Sequence, residues 1–210
     1  MEAICALGPE LASKVPTARR TGLSPEPAPP APAGHFQDAA MSLLSRLLNP
    51  PPPPLMSLWT WITQTAREPR FYTWHAVADT VDGRFDMVAL VSSLVLLRLE
   101  ELDLRRENAL LTERFVDDMD GSLRDIGIGD MVIGKHMGKV MGALGGRLGA
   151  YRRALGAGAA EGELVEVLAR NVYRGSPPAG AAEDLAAEVR TLVARIAAAP
   201  KDALLAGDIR

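Results

Sequence analysis

The stretch Arg84-Phe-Asp-Met-Val-Ala-Leu-Val-Ser-Ser-Leu-Val-Leu-Leu-Arg98 decides the fold. Its apolar run, Met87 to Leu97, is closed by Arg84 and Asp86 on one side and Arg98 on the other. Spanning a bilayer takes ~20 apolar residues in a helix, so this run is too short to do so. It shows no strand-like alternation and is apolar on most sides, which predicts a central, buried helix from Arg84 to about Asp103. Asp82 has the short acceptor side chain favoured at an N-cap and is the expected cap.

Helical periodicity continues on both sides. Upstream, Leu55, Leu58, Trp59 and Ile62 form one stripe, and Pro69 limits that helix near Arg67. Downstream, a helix is expected from about Glu107 to Ile126, with Leu111, Phe115, Met119, Leu123 and Ile126 inward, broken by Gly127 and Gly129. Asp130 can cap a fourth helix, Met131 to Leu155, that buries Val140, Met141, Leu144, Leu148 and Tyr151. Glu163 to Tyr173 and Ala181 to Ala198 complete the set, with Pro177 and Pro178 between them and Pro200 as the stop. The expectation is an all-α fold, a single helical domain of about six helices over residues 55–199, followed by a C-terminal tail, 200–210.

The N-terminal part differs in kind. Twelve of the sixteen prolines fall within residues 1–54, including the tract Pro50 to Pro54. Proline fixes φ and removes a backbone donor, so the region reads as a disordered proline-rich extension. Within it, Met41 to Leu48 forms a short amphipathic helix candidate, with Leu43, Leu44, Leu47 and Leu48 on one face, joined to the domain by a stiff polyproline spacer. Met41 also offers an alternative translation start.

Composition narrows the function. A net charge of −3 gives no basis for DNA binding. The single cysteine, Cys5, leaves no intramolecular disulfide and no Cys-based zinc site. His35, His75 and His136 lack a second ligand at helical i+3 or i+4 spacing, so no metal is expected. No serine lies in a Gly-x-Ser-x-Gly context. Gly127 and Gly129 suggest a phosphate loop superficially, but Gly134 and Lys135 lead into His136 rather than Ser or Thr. Neither catalysis nor a cofactor is implied.

Two features point to partners. Gly134, Gly138, Gly142 and Gly146 recur at four-residue spacing along one helical ridge. Each costs roughly 0.8–1 kcal/mol relative to alanine, which calls for compensation by close packing of a helix inside the domain or by a docking groove for a membrane-protein helix. Charge is also uneven: residues 100–130 hold ten acids and four bases, whereas residues 131–160 hold five bases and no acid. The two segments either pair with each other, or the basic helix, with Lys135 and Lys139 on one face, meets anionic lipid headgroups, a ribosome or an acidic partner. A non-catalytic membrane-surface adaptor is the alternative this supports.

Four segments, in order, carry a family resemblance: Asp79-Thr-Val-Asp-Gly-Arg-Phe-Asp86; Asp117-Asp-Met-Asp120 with Leu123-Arg124; Gly127-Ile-Gly-Asp130 with Gly134-Lys135; and Ala169-Arg-Asn-Val-Tyr173. Over roughly residues 58–174 the chain resembles the ubiquinol–cytochrome c chaperone family. The resemblance implies an all-helical chaperone that binds nascent or newly inserted cytochrome b and helps assemble ubiquinol–cytochrome c reductase. Mitochondrial members work with a small partner protein near the ribosomal exit. Partner-binding residues expected on this basis are Asp82, Arg84, Gly134, Lys135, Arg170, Asn171 and Tyr173, with Gly138, Lys139 and Gly142 along the fourth helix. Structural roles compete at several of these: Arg84 can reach neighbouring carboxylates, and Asn171 can hold a loop. Met137 to Gly149 is richer in glycine than the family pattern, which favours bulkier residues there. The proline-rich extension lies outside that pattern. An Ala-, Gly- and Arg-rich composition reads as bacterial, so the expected location is the cytoplasm, peripheral at the inner membrane, or the matrix side in a mitochondrion.

Overall fold

Pro69 ends one helix and begins the next. In the computed structural model, which describes the backbone of residues 55–125 and 130–210 and their side chains except Leu123, Asp125 and residues 130–136, helix α1 runs Met56–Ala66 and α2 Pro69–Thr73. Glu68 takes the extended conformation that a following proline imposes, so α1 stops, while Pro69 itself sits at the first position of α2, where its missing N–H costs nothing. The Tyr72 hydroxyl donates to the Ala66 carbonyl at 2.8 Å and ties the two helices together.

Helix α3, Val81–Glu101, is the centre of the domain: Met87 to Leu96 is buried without interruption. It packs against α1, against α4 (Arg105–Asp125), against α5 (Asp130–Leu155) and against α7 (Ala181–Ala198). Between α5 and α7 lies α6, Glu163–Asn171. The α1–α4 contact is aromatic, with Trp59 edge-on to Phe115 at 6.1 Å and Phe85 of α3 6.3 Å from Phe115. Asn108 of α4 donates to the Leu96 carbonyl at 3.0 Å. Arg98 of α3 donates to the Ala197 carbonyl at 3.0 Å, satisfying one of the acceptors left at the end of α7.

Among the described residues there are eight helices and no strand. The all-α expectation holds; the expectation of about six helices does not count the two short ones. Both begin at or just after prolines read only as stops. Pro200 precedes α8, Lys201–Ala206, which corrects the expected tail at 200–210: Leu204 is fully buried and Ile209 nearly so. Gly207 closes α8 at φ 72°, and a Cβ there would lie 2.6 Å from the Ser57 carbonyl oxygen, so the C-terminus packs tightly on α1. The expected cap of α3 also moves. Thr80, not Asp82, is the N-cap, and its side chain accepts from the Gly83 N–H at 3.1 Å; the helix starts at Val81, which puts Asp82 inside the first turn. The expectations for residues 1–54, for the break at Gly127 and Gly129, and for the side chains of Leu123, Ile126, Gly134, Lys135 and His136 fall outside the described residues.

Candidate partner-binding site

Asp82 and Asp86 are four residues apart on α3 and share a face. Asp82 is exposed, whereas Asp86 is 1% exposed. A carboxylate taken so far out of water needs compensation, and two guanidiniums provide it. Arg147 of α5 pairs with Asp86, lies 5.2 Å from the Phe85 ring, and also donates to the Asn171 carbonyl at 3.5 Å. Arg174, just past α6, reaches Asp86 at 3.4 Å and Asp82 at 3.1 Å. Burial pushes the Asp86 carboxyl up from its ordinary value, while Arg147 first and Arg174 next pull it back.

The turn before α3 is fitted to the same place. A Cβ on Gly83 would collide with the Ala78 carbonyl oxygen, so only glycine lets the 75–79 segment lie against the helix start. On the opposite wall, the Tyr173 hydroxyl lies 2.7 Å from the His75 carbonyl oxygen and 3.0 Å from that of Ala181, and donates its one proton to one or the other. Burial raises Tyr173 from 10.0 to about 12, with Asp184 and Glu183 adding to the rise. Beside the ion-pair network, burial raises the Tyr151 hydroxyl strongly, opposed by Arg147 and then Asn171. Between these walls is a cavity of about 340 Å³ lined by Ala76, Ala78, Gly83, Val172 and Pro178, with Thr80, Asp82, Arg174 and Ser176 supplying its polar atoms.

Of the residues expected from the sequence, Asp82, Asn171 and Tyr173 come together here. Arg84 does not join them. It points away to Asp79 at 2.6 Å, an exposed pair that lowers the Asp79 carboxyl and raises the guanidinium. Arg170 is exposed on α6. Gly138, Lys139 and Gly142 lie elsewhere: nine residues separate Gly138 from Arg147, ~14 Å along a helix. Cβ atoms on Gly138, Gly142 and Gly146 would meet nothing within 4 Å among the described residues. Gly138, Gly142 and Gly146 therefore lie on a face of α5 that is open among the described residues, and no helix–helix contact within them uses it, against one of the two expectations. The basic half of the charge pattern is also resolved in part. Arg147 pairs with Asp86 and Arg152 with Glu100 at 2.7 Å, both on α3, rather than with the acidic face of α4.

Sequence reading missed Asp86, Arg147 and Arg174. The signal was present: an aspartate heading a fully apolar helix must find an opposite charge, and Arg147 is a charged residue set in a run of glycine and apolar positions.

Among the described residues, no group of His, Cys, Asp and Glu could hold a metal, and no helix is long and apolar enough to cross a membrane. These features define a helical protein with a small open cavity beside the Asp86, Arg147 and Arg174 ion-pair network. The sequence pattern of the ubiquinol–cytochrome C chaperone family matches residues 74–210, and the chain belongs to that family. A solved structure, the Cbp3 homolog from Brucella abortus, is similar with a TM-score of 0.65 at 30% identity, covering 83% of this chain and 94% of that one. No curated protein matches. Membership in a chaperone family implies a binding role rather than catalysis.

Proposed function

We propose that this protein is an assembly chaperone for ubiquinol–cytochrome c reductase, with nascent or newly inserted cytochrome b as its client. The supporting observation is the convergence of two matched segments, Asp79 to Asp86 and Ala169 to Tyr173, on one cavity beside the Asp86, Arg147 and Arg174 network. Asp82, Asn171 and Tyr173 shape the client surface, and the exposed Arg84 and Arg170 offer further contacts outside it. The α5 face with Gly138 and Gly142, open among the described residues, is a second contact area for the client or for a small partner protein. Lys135 and Lys139 on that helix suit anionic headgroups or a ribosome. Lys139 is exposed and has no ion pair among the described residues.

The test is genetic and biochemical together. Deleting the gene should lower the abundance of the cytochrome bc complex, and the tagged protein should co-purify cytochrome b from cells translating it. A deletion strain with the complex at full abundance would remove the reading. For the basic helix, Lys135→Glu with Lys139→Glu should abolish salt-sensitive flotation on anionic liposomes or sedimentation with ribosomes. Wild-type protein that ignores both at low salt would exclude that contact.

A further inference from the structure

We infer that the cavity beside the start of α3 receives bulky, uncharged apolar side chains from the client polypeptide, with Trp74 and Val81 forming the apolar rim around them. This rests on the client reading above and assigns where the client sits and which part of it binds.

Three observations carry it. The first is size and lining. The apolar part of the walls, Ala76, Ala78, Gly83, Val172 and Pro178, is small or compact, and together with Tyr173 it leaves about 340 Å³ for a partner's side chains. That volume is near the lower end of ligand-sized cavities, roughly 300–1,000 Å³. It takes one or two large side chains, not a whole helix.

The second is charge. Asp82 pairs with Arg174, Arg174 and Arg147 share Asp86, and Asp79 pairs with Arg84. The two charged residues that line the opening, Asp82 and Arg174, answer each other. A charged occupant would have to break one of these pairs, whereas an uncharged one leaves them intact.

The third is exposure and backbone. Among the described residues, Trp74 at 77% and Val81 at 69% are the large apolar side chains most open to water, and in sequence they adjoin the cavity-lining residues Ala76, Ala78, Thr80, Asp82 and Gly83. Ala76 and Arg174, on facing walls, hold left-handed φ values of 51° and 54°. Non-glycine residues in that region are strained and cluster at binding sites. An exposed aromatic beside a recess is the usual composition of an interface anchor with its water-excluding rim.

The experiment places a benzophenone amino acid singly at positions 74, 81, 139 and 153 of the full chain, in cells making cytochrome b, and maps the adducts by mass spectrometry. Positions 74 and 81 should capture cytochrome b through uncharged, apolar stretches. Ala78→Phe, which fills the cavity from an exposed position, should cut that capture by roughly tenfold or more without lowering the melting temperature. Adducts at 74 and 81 that map to charged stretches or to lipid would overturn the inference, as would a yield unmoved by Ala78→Phe. Capture of cytochrome b from 139 or 153 alone would overturn it while leaving the client reading in place. Absence of cytochrome b at all four positions would overturn both.

Discussion

The carboxylate of Asp86, on α3, is paired with the guanidinium of Arg147, on α5, sixty-one residues later in the chain. Asp86 is 1% exposed and the Arg147 side chain 15%, so neither charge can fall back on water if the other is removed. Breaking such a pair typically costs about 3–5 kcal/mol, while replacing both members with apolar groups of similar volume is often neutral. Asp86→Leu alone should therefore lower the urea midpoint by an amount in that range. Asp86→Leu combined with Arg147→Met should recover most of the loss. Additive single-variant losses in the double variant would show that the two side chains act independently.

Tyr173 links the turn before α3 to the start of α7, and its hydroxyl must stay protonated to donate. Its folded value of about 12 lies above the ordinary 10.0. Between those values the folded chain holds a proton that the unfolded chain has released, so stability falls as pH rises from 10 toward 12 and is unaffected by this group well below 10. Denaturation midpoints measured across that window should decline. Tyr173→Phe should start lower at neutral pH, by about 0.5–1.5 kcal/mol for the lost hydrogen bond, and decline less. A variant that declines as steeply as wild type would assign the effect to Tyr72 or Tyr151, both also raised by burial.

The C-terminal helix is a further test of packing. Leu204 is fully buried, and a Cβ on Gly207 would meet the Ser57 carbonyl oxygen. Leu204→Ala should cost about 2–5 kcal/mol, the range for deleting a buried leucine. A truncation ending at Ala199 should melt well below the full chain. Equal melting of the truncated and full chains would mean α8 contributes nothing to the fold.

What the sequence made legible follows from periodicity. α3 was readable because thirteen of its positions are buried, and no charge interrupts it between Asp86 and Arg98. The inward positions of α4, Leu111, Phe115 and Met119, follow the same logic and are buried. The short helices were not readable, because five or six residues give no period and proline signals a stop as readily as a start. The site was half legible. Asp82, Asn171 and Tyr173 stand in recognisable segments, but the residues that join those segments are single charges whose partners lie 61 and 88 positions away. Spacing along one helix carries no information about such pairs.

The open glycine face of α5 yields the last prediction. Gly138 and Gly142 are exposed, helical, and free of neighbours within 4 Å of a Cβ among the described residues. Alanine there loses less backbone entropy on folding than glycine, by about 0.5–1 kcal/mol per site. Gly138→Ala with Gly142→Ala should therefore raise the melting temperature, an outcome opposite to that expected of a close-packed internal ridge. Recovery of cytochrome b with the same variant separates the two remaining roles of the face. If a client or partner helix approaches there, the added methyl groups hold it off, and recovery falls as stability rises. If recovery stays level, the glycines serve no contact in the client complex. A lower melting temperature would show instead that the face is covered within the folded chain, and the docking role for Gly138 and Gly142 would go with it.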